Sequence, residues 1–170
     1  MDRAAVRAGV AVGDHAVAEF QRGAGFGLDG AAAVVLMSAA EASKRGLQPI
    51  AKIIAHSAFA QEPAWFTTAP IYAVKKLHEA LGWTPDDVDL YEINEAFAVV
   101  TMAAMQDLGL SHDKVNVNGG ACALGHPIGA TGCRISVTLL YALMARGLKR
   151  GIASQCIGGG EATAVAYELV

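Results

Sequence analysis

The sequence predicts a layered α/β domain: a mixed, mostly parallel sheet covered by helices and closed by an antiparallel hairpin at its C-terminal edge. Three observations carry that prediction. Short apolar runs alternate with amphipathic stripes that stop at glycine. The last two apolar runs are separated by Gly158, Gly159 and Gly160, a hairpin signal. Of the 170 residues, 54% are apolar and 17% charged, which is enough to build one real core.

Residues 1–24 are Ala-rich with scattered charge, and a helix is expected over roughly residues 6–22, weakened by Gly9 and Gly13. GAGFGLDG (23–30) is a glycine-dense break. It contains a G-x-G-x-x-G spacing, but the apolar run follows it instead of preceding it, so a turn is expected. AAAVVLM (31–37) is a buried strand. Ser38 and Glu41 have the spacing of a capping box and open a helix that stops at Gly46. KIIAHSAFA (52–60) is a strand. Pro70 starts a helix whose stripe is Ile71, Val74, Leu77 and Leu81, ended by Gly82. VDLYEI (88–93) is a strand, and Asn94 opens a helix with Phe97, Val100, Thr101, Ala104 and Leu108 on one side, stopped at Gly109. KVNVNGG (114–120) reads as a short strand running into a turn. The glycine-rich loop ALGHPIGATG (123–132) leads into a helix through Ile135, Leu139 and Leu143 to Gly147. IASQCI (152–157) and ATAVAYELV (162–170) are the closing strands.

Composition excludes several function classes. The net charge is −3 with no Lys/Arg stripe, and aromatics are 6%, so no nucleic-acid partner is expected. The longest apolar stretch, residues 31–40, is too short for a bilayer span, and no membrane partner is expected. Three cysteines without a secretory signature point to free thiols in a reducing compartment, the cytoplasm.

In open α/β sheets, ligands sit beyond the carboxyl ends of strands. Asn94, the loop holding His126, and Cys156 all fall there. A thiol can exchange a proton with a carbon acid, an imidazole can act as base or polarise a carbonyl, and an amide can fix a water. The glycines behind Cys156 leave backbone N–H groups bare for an oxyanion. Each residue also has an ordinary reading: Asn94 as a helix cap, His126 as a satisfied loop histidine, Cys156 as a buried thiol. Cys122 and Cys133 read as packing residues. A zinc site from Cys122, His126, Cys133 and Cys156 matches none of the usual paired-ligand spacings, so no metal is expected. His15, His56, His78 and His112 have no partner pattern.

NEAF (94–97), NGGACALGHPIGATG (118–132) and CIGGG (156–160), with DGAAAVVLMS (29–38), together resemble the C-terminal signature segments of the thiolases, the acetyl-CoA acetyltransferase family. The resemblance implies that residues 47–170 form a thiolase C-terminal domain on a five-stranded sheet. It makes residues 25–46 the remnant of an N-terminal domain, and leaves residues 1–24 unassigned. It implies that Asn94 holds an oxyanion-hole water, that His126 lines the hole and activates a nucleophilic cysteine, that Cys156 is the acid/base, and that the Gly158 N–H binds a tetrahedral intermediate. Phe66, in WFTTAP, and Phe97 are the implied substrate contacts. Coenzyme A thioesters are implied as substrates, with no permanently bound cofactor. The implied partners are a homo-oligomeric copy, since the family usually assembles as dimers or tetramers, or a separate N-terminal half, because the cysteine that becomes acylated in the family has no match here. The alternative is a non-catalytic interaction subunit that keeps the fold.

Overall fold

A computed structural model describes the backbone of Ala4–Ala8, of Ala16–Arg22 and of residues 29–170, with side chains from Gly30 onward. The strands are β1 (Ala4–Ala8), β2 (Ala16–Arg22), β3 (Asp29–Ser38), β4 (Ala51–Ala60), β5 (Leu90–Ile93), β6 (Arg150–Cys156) and β7 (Glu161–Leu169). The helices are α1 (Ala39–Lys44), α2 (Ala69–Leu81), α3 (Ala98–Leu108), α4 (Ala121–Leu124) and α5 (Thr131–Arg146). Local chemistry sets their ends. The Ser38 hydroxyl accepts from the Glu41 N–H, and Pro70 lies in the first turn of α2. Gly82, Gly109 and Gly147 close α2, α3 and α5 in the left-handed region. Most of the glycine break, residues 23–28, lies outside the described residues.

The strands form one sheet in the order β2-β3-β1-β4-β7-β6-β5. Its faces carry separate cores. Val74 and Leu77 of α2 and Val100 and Ala104 of α3 pack on Tyr91, Ile93 and Ile152. Ile135, Leu139 and Leu143 of α5 pack on Leu90, Ala153 and Tyr167 across the sheet. β5 and β6 are buried along most of their length, as expected for strands covered on both faces. Gly151 makes room for α5, since a Cβ there would sit 2.8–2.9 Å from Leu139 side-chain atoms.

The α/β class and mixed sheet stand, but the sheet is not mostly parallel. Among named strands only β5 and β6 pair in parallel, and every other pairing is antiparallel. The closing hairpin causes part of this, and the N-terminal strands β1 and β2 the rest. β3, β4, β5 and β6 run in one direction, as strand–helix alternation demands, but β7 returns from β6 and slots between β6 and β4 instead of standing at the edge. The sheet also has seven strands instead of five. β1 pairs with both β3 and β4, and β2 with β3, so strand pairing overrides the weak helical preference expected over residues 6–22.

Two more expectations fail locally. Residues 114–120 make no strand. Val115 forms a single bridge to Tyr91, and Asn116 turns to φ 48°, a left-handed conformation that Asn tolerates. Asn94 does not open a helix. Its N–H donates to the Ser154 carbonyl at 2.9 Å, prolonging the β5–β6 pairing, and α3 starts only at Ala98. Among the described residues no helix is long and apolar enough to cross a membrane.

Candidate active site at the shared end of β5 and β6

Parallel pairing brings the carboxyl ends of β5 and β6 together, with Ile93 opposite Ser154. Asn94 follows one and Cys156 ends the other. The start of α5 closes on the same rim: a Cβ on Gly132 would lie 3.0 Å from the Gln155 amide nitrogen. The loop before α5 delivers His126, whose Nε2 lies 3.4 Å from Asn94 Nδ2. Asn94 is buried, and its Oδ1 has no hydrogen-bond partner among the described residues.

The other imidazole nitrogen determines what Nε2 can do. Thr131 Oγ1 donates to the Pro127 carbonyl at 3.0 Å and sits 2.7 Å from His126 Nδ1. A hydroxyl has one proton, so the contact is made by Nδ1–H donating to Thr131. Nε2 then carries the lone pair and accepts from the Asn94 amide. Burial, and secondly the charge of Arg134, lower the His126 pKa, so the ring is neutral at pH 7. Nε2 is therefore a proton acceptor, and once protonated it becomes a donor.

Cys156 packs against the core on the side of α2 and α3. Burial pushes its thiol up, with its own backbone N–H a smaller opposing influence, so it rests as the protonated thiol. Ile157–Gly160 turn the chain back: Gly160 N–H donates to the Ile157 carbonyl, and Gly160 has φ 101°, with no room for a Cβ beside the Gln61 carbonyl. Gly158 is exposed at this turn, and its N–H has no partner among the described residues.

An open cavity of about 490 Å3 is lined by Glu95–Ala98 and by Ala121–His126. Phe97 projects at its mouth, 52% exposed, and Phe66 meets it edge to face with ring centroids 6.2 Å apart. The structure thus brings Asn94 to His126 and Phe66 to Phe97. Cys156 and Gly158 stand on the same rim through the β5–β6 register but do not line the cavity. No group of three His, Cys, Asp or Glu side chains suited to a metal converges among the described residues.

Sequence reasoning missed four neighbours of the site. Glu92 is buried on the α5 face, with Arg134 Nη1 at 3.3 Å from its Oε2. Burial outweighs that guanidinium and lifts its carboxyl to about 7. Asn116 and Glu95 link the Asn94 segment to α4. A signal was available for two of them: a charged residue in an otherwise apolar strand, and an Asn where β-propensity disfavours it.

The family model described as "Thiolase, C-terminal domain" matches residues 47–169. The chain belongs to the thiolase family. Over 140 residues it is 51% identical to the acetyl-CoA acetyltransferase of Allochromatium vinosum, covering 82% of this chain and 36% of that protein. It is 52% identical to the cytosolic acetyl-CoA acetyltransferase of Mus musculus, over 82% of this chain and 35% of that relative. The crystal structure of the Bacillus anthracis acetyl-CoA acetyltransferase superposes with a TM-score of 0.82 at 45% identity, covering 85% of this chain and 37% of that one. The 170 residues therefore span little more than a third of these thiolases.

Proposed function

We propose that this chain supplies the Asn94, His126 and Cys156 part of a thiolase site that catalyses Claisen condensation of acyl-CoA thioesters, or the reverse thiolytic cleavage of a 3-ketoacyl-CoA. The observation that carries the reading is the neutral His126, tied through Nδ1 to Thr131 and facing Asn94 through Nε2, on the rim where Cys156 ends β6. The acetyl-CoA acetyltransferases it resembles support acyl-CoA and CoA as substrates. In this reading the acylated nucleophile comes from a complementing part, and the Cys122 thiol, pushed up by desolvation and by Glu95, is poorly suited to replace it.

The proton balance follows from the resting states. In cleavage, a nucleophilic thiol gives its proton to His126 Nε2 and attacks the 3-keto carbon. The imidazolium and the Asn94 amide then face the developing oxyanion. The C2–C3 bond breaks, and the departing acetyl-CoA enolate takes the proton of the Cys156 thiol. The Cys156 thiolate next removes the proton of incoming CoA, which attacks the acyl-enzyme; the shortened thioester is released as the nucleophile's sulfur leaves and takes its proton back from His126 Nε2. Condensation runs the same transfers backwards, and its first half-reaction, in which CoA leaves, also draws on a protonated Cys156. A thiol held above its ordinary pKa suits the first half-reaction of both directions. Gly158 N–H is a further donor for the tetrahedral intermediate, and Phe66 and Phe97 border the acyl chain. The complementing part is a separate N-terminal half, acting in the cytoplasm; a second copy in a homo-oligomer carries the same residues and does not supply the nucleophile.

The test is acetoacetyl-CoA cleavage by the purified chain, alone and mixed with the separately produced N-terminal part of a relative. Turnover is expected only in the mixture, and Cys156→Ala is expected to lower kcat by roughly 100- to 10,000-fold. Turnover by the chain alone, or a Cys156→Ala mixture at the unmutated rate, overturns the proposal.

A further inference from the structure

Among the described residues the side chain of Asn94 makes one polar contact, a long one to His126, and its Oδ1 has no partner. Such a side chain does not hold its own position, so the backbone on either side must. Both flanking residues are tied. On one side, the Asn116 amide takes the place of a strand: its Oδ1 accepts from the Ile93 N–H and its Nδ2 donates to the Ile93 carbonyl, both at 2.9 Å. The same Nδ2 donates to Glu95 Oε1 at 2.9 Å, on the other side of Asn94. Glu95 Oε2 accepts from the Cys122 N–H at 2.8 Å, in the first turn of α4. That short helix ends at Gly125, next to His126.

We propose that Asn116 and Glu95 form a clamp that fixes Asn94 against His126, making both of them positioning residues for that pair. The clamp runs from β5 through two side chains to the segment that carries the imidazole. Gly120 is shaped around it, since a Cβ there would collide with the Glu95 carboxylate at 2.2–2.4 Å. Glu95 and Cys122 also belong to both of two open cavities, the one holding His126 and a second one lined by Met102, Met105 and Asn116, so the clamp forms a wall between them. The charge-assisted bond from Cys122 N–H to the carboxylate is of the stronger, more directional kind, which suits a hinge point that must not drift.

The inference rests on the proposed function only for its effect on turnover, so its test reads geometry. Long-range nitrogen–proton spectra of the imidazole rings in the 15N-labelled 170-residue chain report which nitrogen carries the proton. For the unmutated chain, His126 is expected to show well-separated nitrogens with the proton on Nδ1. In Asn116→Ala and Glu95→Gln, the Nδ1 proton held by Thr131 is expected to stay, while the Nε2 resonance moves downfield as its lone pair loses the Asn94 donor. His78, bonded to the Tyr91 hydroxyl and in contact with no clamp side chain, is expected to stay unchanged and serves as the internal control. A melting curve of each variant separates general loosening from this local effect: a purely structural role lowers the melting temperature and leaves the His126 pattern intact. If Asn116→Ala fails to fold, Glu95→Gln, which keeps the side-chain shape, decides alone. A folded Glu95→Gln with unaltered His126 resonances overturns the clamp. Loss of the catalytic reading through an inert Cys156→Ala would leave these spectra untouched, so the two failures are distinguishable.

Discussion

Replacing Glu92 with Gln removes a buried charge while keeping its shape, and the structure sets the size of the result. Glu92 is 2% exposed and faces α5. Its Oε1 has no partner, and neither do Nε and Nη2 of Arg134, among the described residues. The pair is imperfect, and burial wins over the guanidinium, which is why the carboxyl rises from 4.5 to about 7. Between those values the folded chain holds a proton that the unfolded chain has released. Unfolding therefore becomes easier as pH rises. The stabilisation is full below the unfolded value and gone above the folded one. At about 1.4 kcal/mol per unit, the wild type should lose roughly 3 kcal/mol relative to Glu92→Gln between about pH 4 and 8. Urea unfolding of both proteins across that range measures the difference. Glu168, held low by its bond to Arg150, contributes to both curves and cancels. Two curves running parallel throughout would refute the reasoning.

Gly151→Ala should destabilise by about 1–3 kcal/mol, because its methyl meets Leu139. Combining it with Leu139→Ala should cost less than the sum of the two, since the methyl enters the space Leu139 leaves, and strictly additive unfolding energies would contradict that contact. Alkylation of Cys156 by iodoacetamide at neutral pH should be slower than that of a free cysteine and still rising above about pH 8.5, read by mass spectrometry. A rate already at its plateau near neutrality would mean a stabilised thiolate.

The legible parts of this fold were those set by local chemistry. Ser38, Pro70 and the glycines at 82, 109 and 147 act within a single turn, and each marks the end it announced. Strand–helix alternation also fixed the common direction of β3 to β6. Adjacency was not legible, because it depends on where β7 inserts, and periodicity carries no information about neighbours. The pattern around 114–120 misled for a related reason: Val115 and Val117 look like a strand, but the pairing passes to the side chain of Asn116. At the site, Asn94 and Cys156 were readable as residue types at strand ends, whereas His126 reaches the same rim from the loop before α5 and not after the expected strand at 114–120. The contacts that orient them were not readable: Glu95 on Cys122 spans 27 residues, and Thr131 on His126 Nδ1, only five apart, depends on how the intervening loop turns.

The position of β7 bears on how the protein can be made. β4 and β6 touch the sheet only through this strand on their shared side, and residues 161–169 leave the ribosome after everything they join. Until they emerge, β1 to β4 and β5 with β6 share no strand pairing and are joined through α2 and α5, each presenting a bare edge with unpaired backbone groups. During synthesis the nascent chain is therefore exposed to mispairing until β7 arrives, and a stop codon before residue 161 would leave the two parts of the sheet with bare facing edges.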